Sequence, residues 1–130
     1  MTTGGIEPAA AMISDKSVSH GVGPSLLLGQ ASELANQGCF MEAIALCEKH
    51  LREKGLSAAA YSLMGMICHA AGERRRAEDC FRKAVYLDPN HDEALLALAL
   101  LAEQRGDQSA AAGFRRRAER TATLSRKRVN

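Results

Sequence analysis

Cys47 and His50 stand three residues apart, Cys68 is followed directly by His69, and Cys80 comes twelve residues later. Thiolate and imidazole are the usual zinc ligands, and a structural zinc site needs about four of them converging. On a helix, Cys47 and His50 lie on adjacent turns of one face. The same residue types could form a nucleophile and its base, but no third group to orient the base is apparent. The plainer reading is packing. Cys47 and Cys68 fall at positions where helices meet, and a buried free thiol behaves as a small hydrophobe. No catalytic residue, no metal site and no cofactor is therefore expected. Cys39 follows Gly38 in a turn and is expected to be exposed, with nothing beside it to lower its pKa.

Arginines form the second set. Arg74, Arg75 and Arg76 lie beside Glu73, Glu78 and Asp79, which suits a solvated helix face with ion pairs one turn apart. Arg115, Arg116, Arg117 and Arg120, followed by Arg126, Lys127 and Arg128, form a basic patch on the last helix and a basic tail over 126–130. From Phe114 onward the net charge is +6, while residues 1–113 carry −4. Cations at a helix C-terminus complement its dipole; the other reading is a patch for an acidic partner. No aromatics are interleaved, which argues against stacking on nucleic-acid bases.

These residues belong to a chain of 130 residues with 46% apolar and 25% charged content. That suffices for one ordinary domain with a buried core. Aromatics are only 4%, with no Trp. Ala is abundant, so close-packed helices are favoured over a sheet. Met1–Ala11 has no Lys, Arg or apolar run, and no stretch reaches the roughly 20 apolar residues of a membrane span. Four cysteines without a secretion signal point to reduced thiols and a cytoplasmic protein. Residues 1–23 are rich in Gly, Ser, Thr, Ala and Pro and read as a flexible linker. A linker implies a longer protein.

The remainder repeats. Gly38, Gly72 and Gly106 are 34 residues apart; so are Ala43, Ala77 and Ala111, and so are Ala31, Gly65 and Ala99. The first set should end a helix in a left-handed turn. The second should pack the second helix of a unit against the next unit, and the third should mark the close crossing of two helices within a unit. Pro89, in Tyr86-Leu87-Asp88-Pro89, breaks the chain before the next helix. This period and pattern resemble the tetratricopeptide repeat, a helix–turn–helix unit. The best match is residues 58–91, with Tyr61, Met64, Gly65, Gly72, Ala77, Phe81, Ala84 and Pro89 in the family's positions. Residues 24–57 depart at Gln30, His50 and Gly55, and residues 92–125 at Arg115, as terminal units often do. The resemblance implies an all-α fold of three tandem units, a tetratricopeptide domain over 24–125 forming a short right-handed superhelical array. Six helices are expected, over about 25–37, 40–54, 58–71, 74–87, 92–105 and 108–124.

A narrower resemblance lies in the run from Glu33 to Leu51 and in Phe81-Arg82-Lys83-Ala84-Val85-Tyr86-Leu87-Asp88-Pro89-Asn90-His91-Asp92-Glu93-Ala94-Leu95. These resemble the C-terminal repeat segment of CheR-type chemotaxis protein-glutamate O-methyltransferases. The methyltransferase domain itself is not in the sequence: no strand leads into a Gly-rich turn for S-adenosylmethionine, and Gly21-Val22-Gly23 is too weak a motif.

In such arrays the first helices of the units line a concave surface. Helical phase points Leu28, Ser32, Ala35 and Asn36 outward from the first unit. It points Ser62, Met66, His69 and Ala70 outward from the second, and Glu93, Leu96, Leu100, Glu103 and Gln104 from the third. The expected partner groove is therefore apolar and lightly acidic: Leu28, Ser32, Asn36, Ser62, Met66, His69, Leu96, Leu100 and Glu103. The plainer alternative is that Leu28, Leu96 and Leu100 only cover the core. Chaperone-binding members of the family clamp a carboxylate with Lys, Arg and Asn, and here only Asn36 could serve. The resemblance implies a non-catalytic regulatory or targeting module of a receptor methyltransferase. Its implied partner is the chemoreceptor cytoplasmic region, another signalling component or the enzyme's own catalytic domain, with no membrane or nucleic-acid contact. A free-standing adaptor or secretion-type chaperone, and a weak anion-binding module using the basic tail, are the alternatives.

Overall fold

Three turns of near-identical geometry set the architecture. At Gly38, Gly72 and Gly106 the backbone takes φ of 84°, 86° and 86°, which L side chains rarely adopt. Around the first, Gly38 N–H donates to the Ala35 carbonyl and Cys39 N–H to the Leu34 carbonyl, at 3.0 and 2.8 Å. The same two bonds recur from Gly72 to His69 and Glu73 to Cys68, and from Gly106 to Glu103 and Asp107 to Ala102. This pair of bonds satisfies the last carbonyls of a helix and reverses the chain.

The computed structural model describes residues 25–129. The linker expected over residues 1–23 lies outside them, as does Asn130 of the expected tail. Six helices follow in order: α1 Leu26–Asn36, α2 Phe40–Lys54, α3 Ala58–Ala70, α4 Arg74–Leu87, α5 Asp92–Gln104 and α6 Gln108–Val129. Among the described residues there is no strand. Consecutive helices pack on one another, α1 on α2, α3 on α4 and α5 on α6 within units, with α2–α3 and α4–α5 contacts joining them. Caps fix the starts. Ser25, Ser57 and His91 accept from backbone N–H groups through their side chains, and Asp107 accepts from Ala110 N–H at 3.0 Å. Five helices end within a residue or so of expectation. The sixth continues to Val129 instead of stopping near residue 124, because no Gly or Pro interrupts Leu124-Ser125-Arg126-Lys127-Arg128-Val129. Residues 126–129 of the expected tail are therefore helical.

The core is built on the small-residue columns. Ala31, Ala43, Ala77, Ala99 and Ala111 are all buried. At Gly65 the constraint is absolute, since a Cβ there would lie 2.8 Å from the ring of Phe81. Above this contact Lys83 sets its ammonium 5.4 Å from the centre of the Tyr61 ring, tying α4 to α3 a second time.

Three thiols share the core. Cys47, Cys68 and Cys80 come from α2, α3 and α4 and are all buried. Burial pushes the Cys47 thiol up to about 11, helped by the nearby Cys80 and Cys68 sulfurs. Burial likewise pushes Cys80 up to about 11, and Cys68 moves in the same direction. They are protonated packing groups at neutral pH. Cys39 is half-buried rather than exposed, and its thiol is also raised, by partial burial and then by the Glu42 carboxylate.

Two outcomes follow from this packing. Gly65→Ala gains up to about 1 kcal/mol of helix propensity but must displace a ring that is itself 2% exposed. Overpacking of this kind costs about 1–3 kcal/mol, so urea unfolding should show a net loss of stability. In a Phe81→Leu background the same change should become neutral or stabilising. The thiols give a pH window. An unfolded cysteine ionises near the model value of 9.0, whereas folded Cys47 and Cys80 hold their protons to about 11. Their contribution to stability is present below pH 9 and is lost as pH rises from 9 to 11. The denaturation midpoint should fall across that interval, and the fall should flatten in a Cys47→Ala, Cys80→Ala variant.

Candidate functional site

The alternation of helix pairs leaves α3 and α5 side by side with the aromatic ring of α4 beneath them. Met66 and His69 from α3, Phe81 from α4, and Ala97, Leu100 and Leu101 from α5 line a cleft of about 270 Å³. Its rim is apolar and open. Met66 is 50%, Leu96 52% and Leu100 45% exposed, although each is large enough to fill a core. Contiguous exposed apolar surface of this kind marks an interaction site. Met66 adds an adaptable side chain, and His69 is the one polar group in the lining.

The sequence-derived groove residues divide into four groups. Met66, His69 and Leu100 line the cleft, and Leu96 extends it by one turn of α5. Leu28, Ser32 and Asn36 lie on α1 and do not line it; Leu28 is half-buried against the core, while Ser32 and Asn36 are exposed. Glu103 is engaged in an ion pair with Arg115 of α6. Ser62 departs from expectation, for it is 2% exposed and not a surface residue. It belongs to the central unit, flanked on both sides, and its short side chain does not reach out as Leu96 does at the same register. The Ser62 hydroxyl has no hydrogen-bond partner among the described residues, and neither has Nδ1 of buried His50.

Phe81, Ala97 and Leu101 are cleft residues that helical phase alone did not select. Phe81 reads as a core aromatic, and Leu101 is buried; both are seen from the cleft only because α3 and α5 leave a gap above them. The signal was Gly65, whose missing side chain lets the ring lie high between the two helices.

The basic patch is also split. Arg115 turns inward to Glu103. Arg116, Arg117 and Arg120 instead line a shallow basin on the outer face of α6, and none of them pairs with an acid among the described residues. No three His, Cys, Asp or Glu side chains among the described residues converge as metal ligands would. No described helix is long and apolar enough to cross a membrane.

Comparison with known proteins agrees with this geometry. Residues 58–91 match the tetratricopeptide repeat family model. Over 91 residues, 70% of this chain and 22% of the relative, the sequence is 41% identical to the probable biofilm formation methyltransferase WspC of Pseudomonas aeruginosa. It is 38% identical over 104 residues to the protein of the same name from Pseudomonas putida, covering 80% of this chain and 24% of that one. The chain thus spans less than a quarter of the length of these relatives. A crystal structure of MamA superposes with a TM-score of 0.73 at 19% identity, covering 78% of this chain and 59% of that one, which bears on the fold alone. The six helices of this chain form an all-α array of helix pairs whose central unit, residues 58–91, matches the tetratricopeptide repeat family, and whose sequence is similar to a segment of these two methyltransferases.

Proposed function

We propose that this array is the regulatory or targeting module of a chemosensory receptor methyltransferase, and that its α3–α5 cleft holds an apolar segment of the chemoreceptor's cytoplasmic region. The observation that carries the reading is the pairing of two facts. The similarity to the two methyltransferases runs through the whole array, and the array presents large apolar side chains around an open cleft. A helical scaffold without catalytic groups can contribute to such an enzyme by raising the local concentration of its substrate. Tethering of this kind changes the rate on the tethered substrate without touching the chemical step. The cleft is suited to a partner helix laid with its apolar face inward, in the manner of helix-in-groove recognition.

Both parts are open to test. In a methyltransferase carrying this segment, removal of residues 24–130 should alter receptor methylation while S-adenosylmethionine binding is retained; unchanged methylation overturns the reading. Met66→Glu with Leu100→Glu places two carboxylates on the cleft rim. Both positions are about half exposed, so the helical signal and melting temperature should change little. Burying those carboxylates under an apolar partner should weaken capture by about tenfold or more. Undiminished capture in a pull-down with the receptor's cytoplasmic region would exclude the cleft.

A further inference from the structure

We propose that the outer face of α6 is a second docking surface, separate from the cleft, and that it takes an acidic amphipathic helix supplied by a partner protein. The surface is a basin of about 370 Å³ lined wholly by α6, with Ala110, Gly113 and Phe114 at its centre and Arg116, Arg117 and Arg120 around them.

Its shape follows from the repeat. At each internal junction, the first helix of one unit covers the second helix of the unit before. The covering residues recur at the 34-residue period: Ala60, Met64 and Ile67 in α3, and Ala94, Leu98 and Leu101 in α5, all buried. Their counterparts in α1 are Leu26, Gln30 and Glu33, which are exposed. Among the described residues no such helix lies against the corresponding face of α6. Phe114 stands there at the position of Leu46 and Cys80; like Leu46 it is half-buried and packs partly on the core. α6 has 22 residues, against 15 in α2 and 14 in α4, so this place is longer than either internal one.

Charge identifies the occupant. At both internal junctions the earlier unit supplies an acid and the later unit a base: Glu48 pairs with Arg76 at 3.2 Å, and Glu78 with Arg105 at 3.0 Å. In α6 the register of Glu48 is held by Arg116, and that of Glu78 by Ala112. Arg116, Arg117 and Arg120 face this basin without an acid partner among the described residues, so a helix seated here must bring the acids itself. A second copy of this chain fits poorly. Its α1 offers only Glu33 on the matching face, and two α6 faces placed together would oppose their arginines. The apolar centre at Phe114 favours a protein helix over a phosphate backbone, which would want charge throughout.

The test uses the full chain and a fluorescent helical peptide of about 20 residues, with Leu on one face and Glu along both flanks. Binding is expected, weakening as salt rises. It should fall by about tenfold or more in Arg116→Glu, Arg117→Glu, Arg120→Glu and separately in Phe114→Gln, with helical content unchanged. It should persist in the Met66→Glu, Leu100→Glu variant, which separates this surface from the cleft. A peptide with Lys in place of Glu should not bind. Unchanged affinity in the arginine variant overturns the proposal. So does tighter binding of single-stranded DNA of about 20 nucleotides than of the acidic peptide, which would assign the patch to nucleic acid. Self-association by sedimentation that the arginine variant abolishes would assign it to a second copy.

Discussion

The ring of Phe81 rests on the backbone of Gly65, closer than a side chain at that position would allow. This contact brings α3 and α4 together at their crossing and lifts the ring between α3 and α5. The ring is at once the centre of the core and the floor of the cleft. Ala31 and Ala99 hold the corresponding places in the outer units, where the crossing is close but the second helix brings Cys47 or Arg115 instead of an aromatic ring. The cleft lies above the unit that carries the large ring, and the binding surface is thus a by-product of how one helix pair is packed.

The fold was legible because its determinants are local and repeated. A left-handed glycine, a small residue at a crossing and a small residue at a unit junction each have one cheap solution, and the chain states each of them three times. The surface was less legible, because exposure depends on what lies alongside. Ser62 and Leu96 share one register position, yet one is buried and the other open. The difference comes from side-chain length and from Ser62's place in the flanked central unit. Arg115 and Arg116 are neighbours in sequence, yet one is tied to Glu103 and the other faces the basin. A run of charge in a sequence does not say which of its members are already neutralised; the helical turn of about 100° per residue decides that.

The thiols illustrate the same division between residue type and surroundings. Cys47, His50, Cys68 and Cys80 have the composition of a metal site. In the structure the three sulfurs sit among aliphatic side chains that raise their pKa values. Zinc binding needs thiolates and a vertex of four ligands. Burial outweighs the pull of the Arg76 and Lys83 cations and works against the thiolate, and among the described residues no set of metal ligands converges. The cluster is a packing solution at the junction of three helices.

The outer faces of α1 and α6 are built differently. The first unit has Gln30 and Glu33 in the register of Met64 and Ile67, beside an exposed Leu26 in the register of Ala60. The last unit keeps Phe114 and surrounds it with arginines. Retaining a large apolar group within a ring of unpaired charge leaves a surface that is tolerable in water and more stable when covered. Covering it stabilises only if the incoming helix neutralises the arginines, because three guanidinium groups buried without partners would outweigh the apolar gain. The arrangement therefore selects against neutral or basic helices as strongly as it favours acidic ones, and the specificity comes from the charges rather than from the apolar centre they enclose.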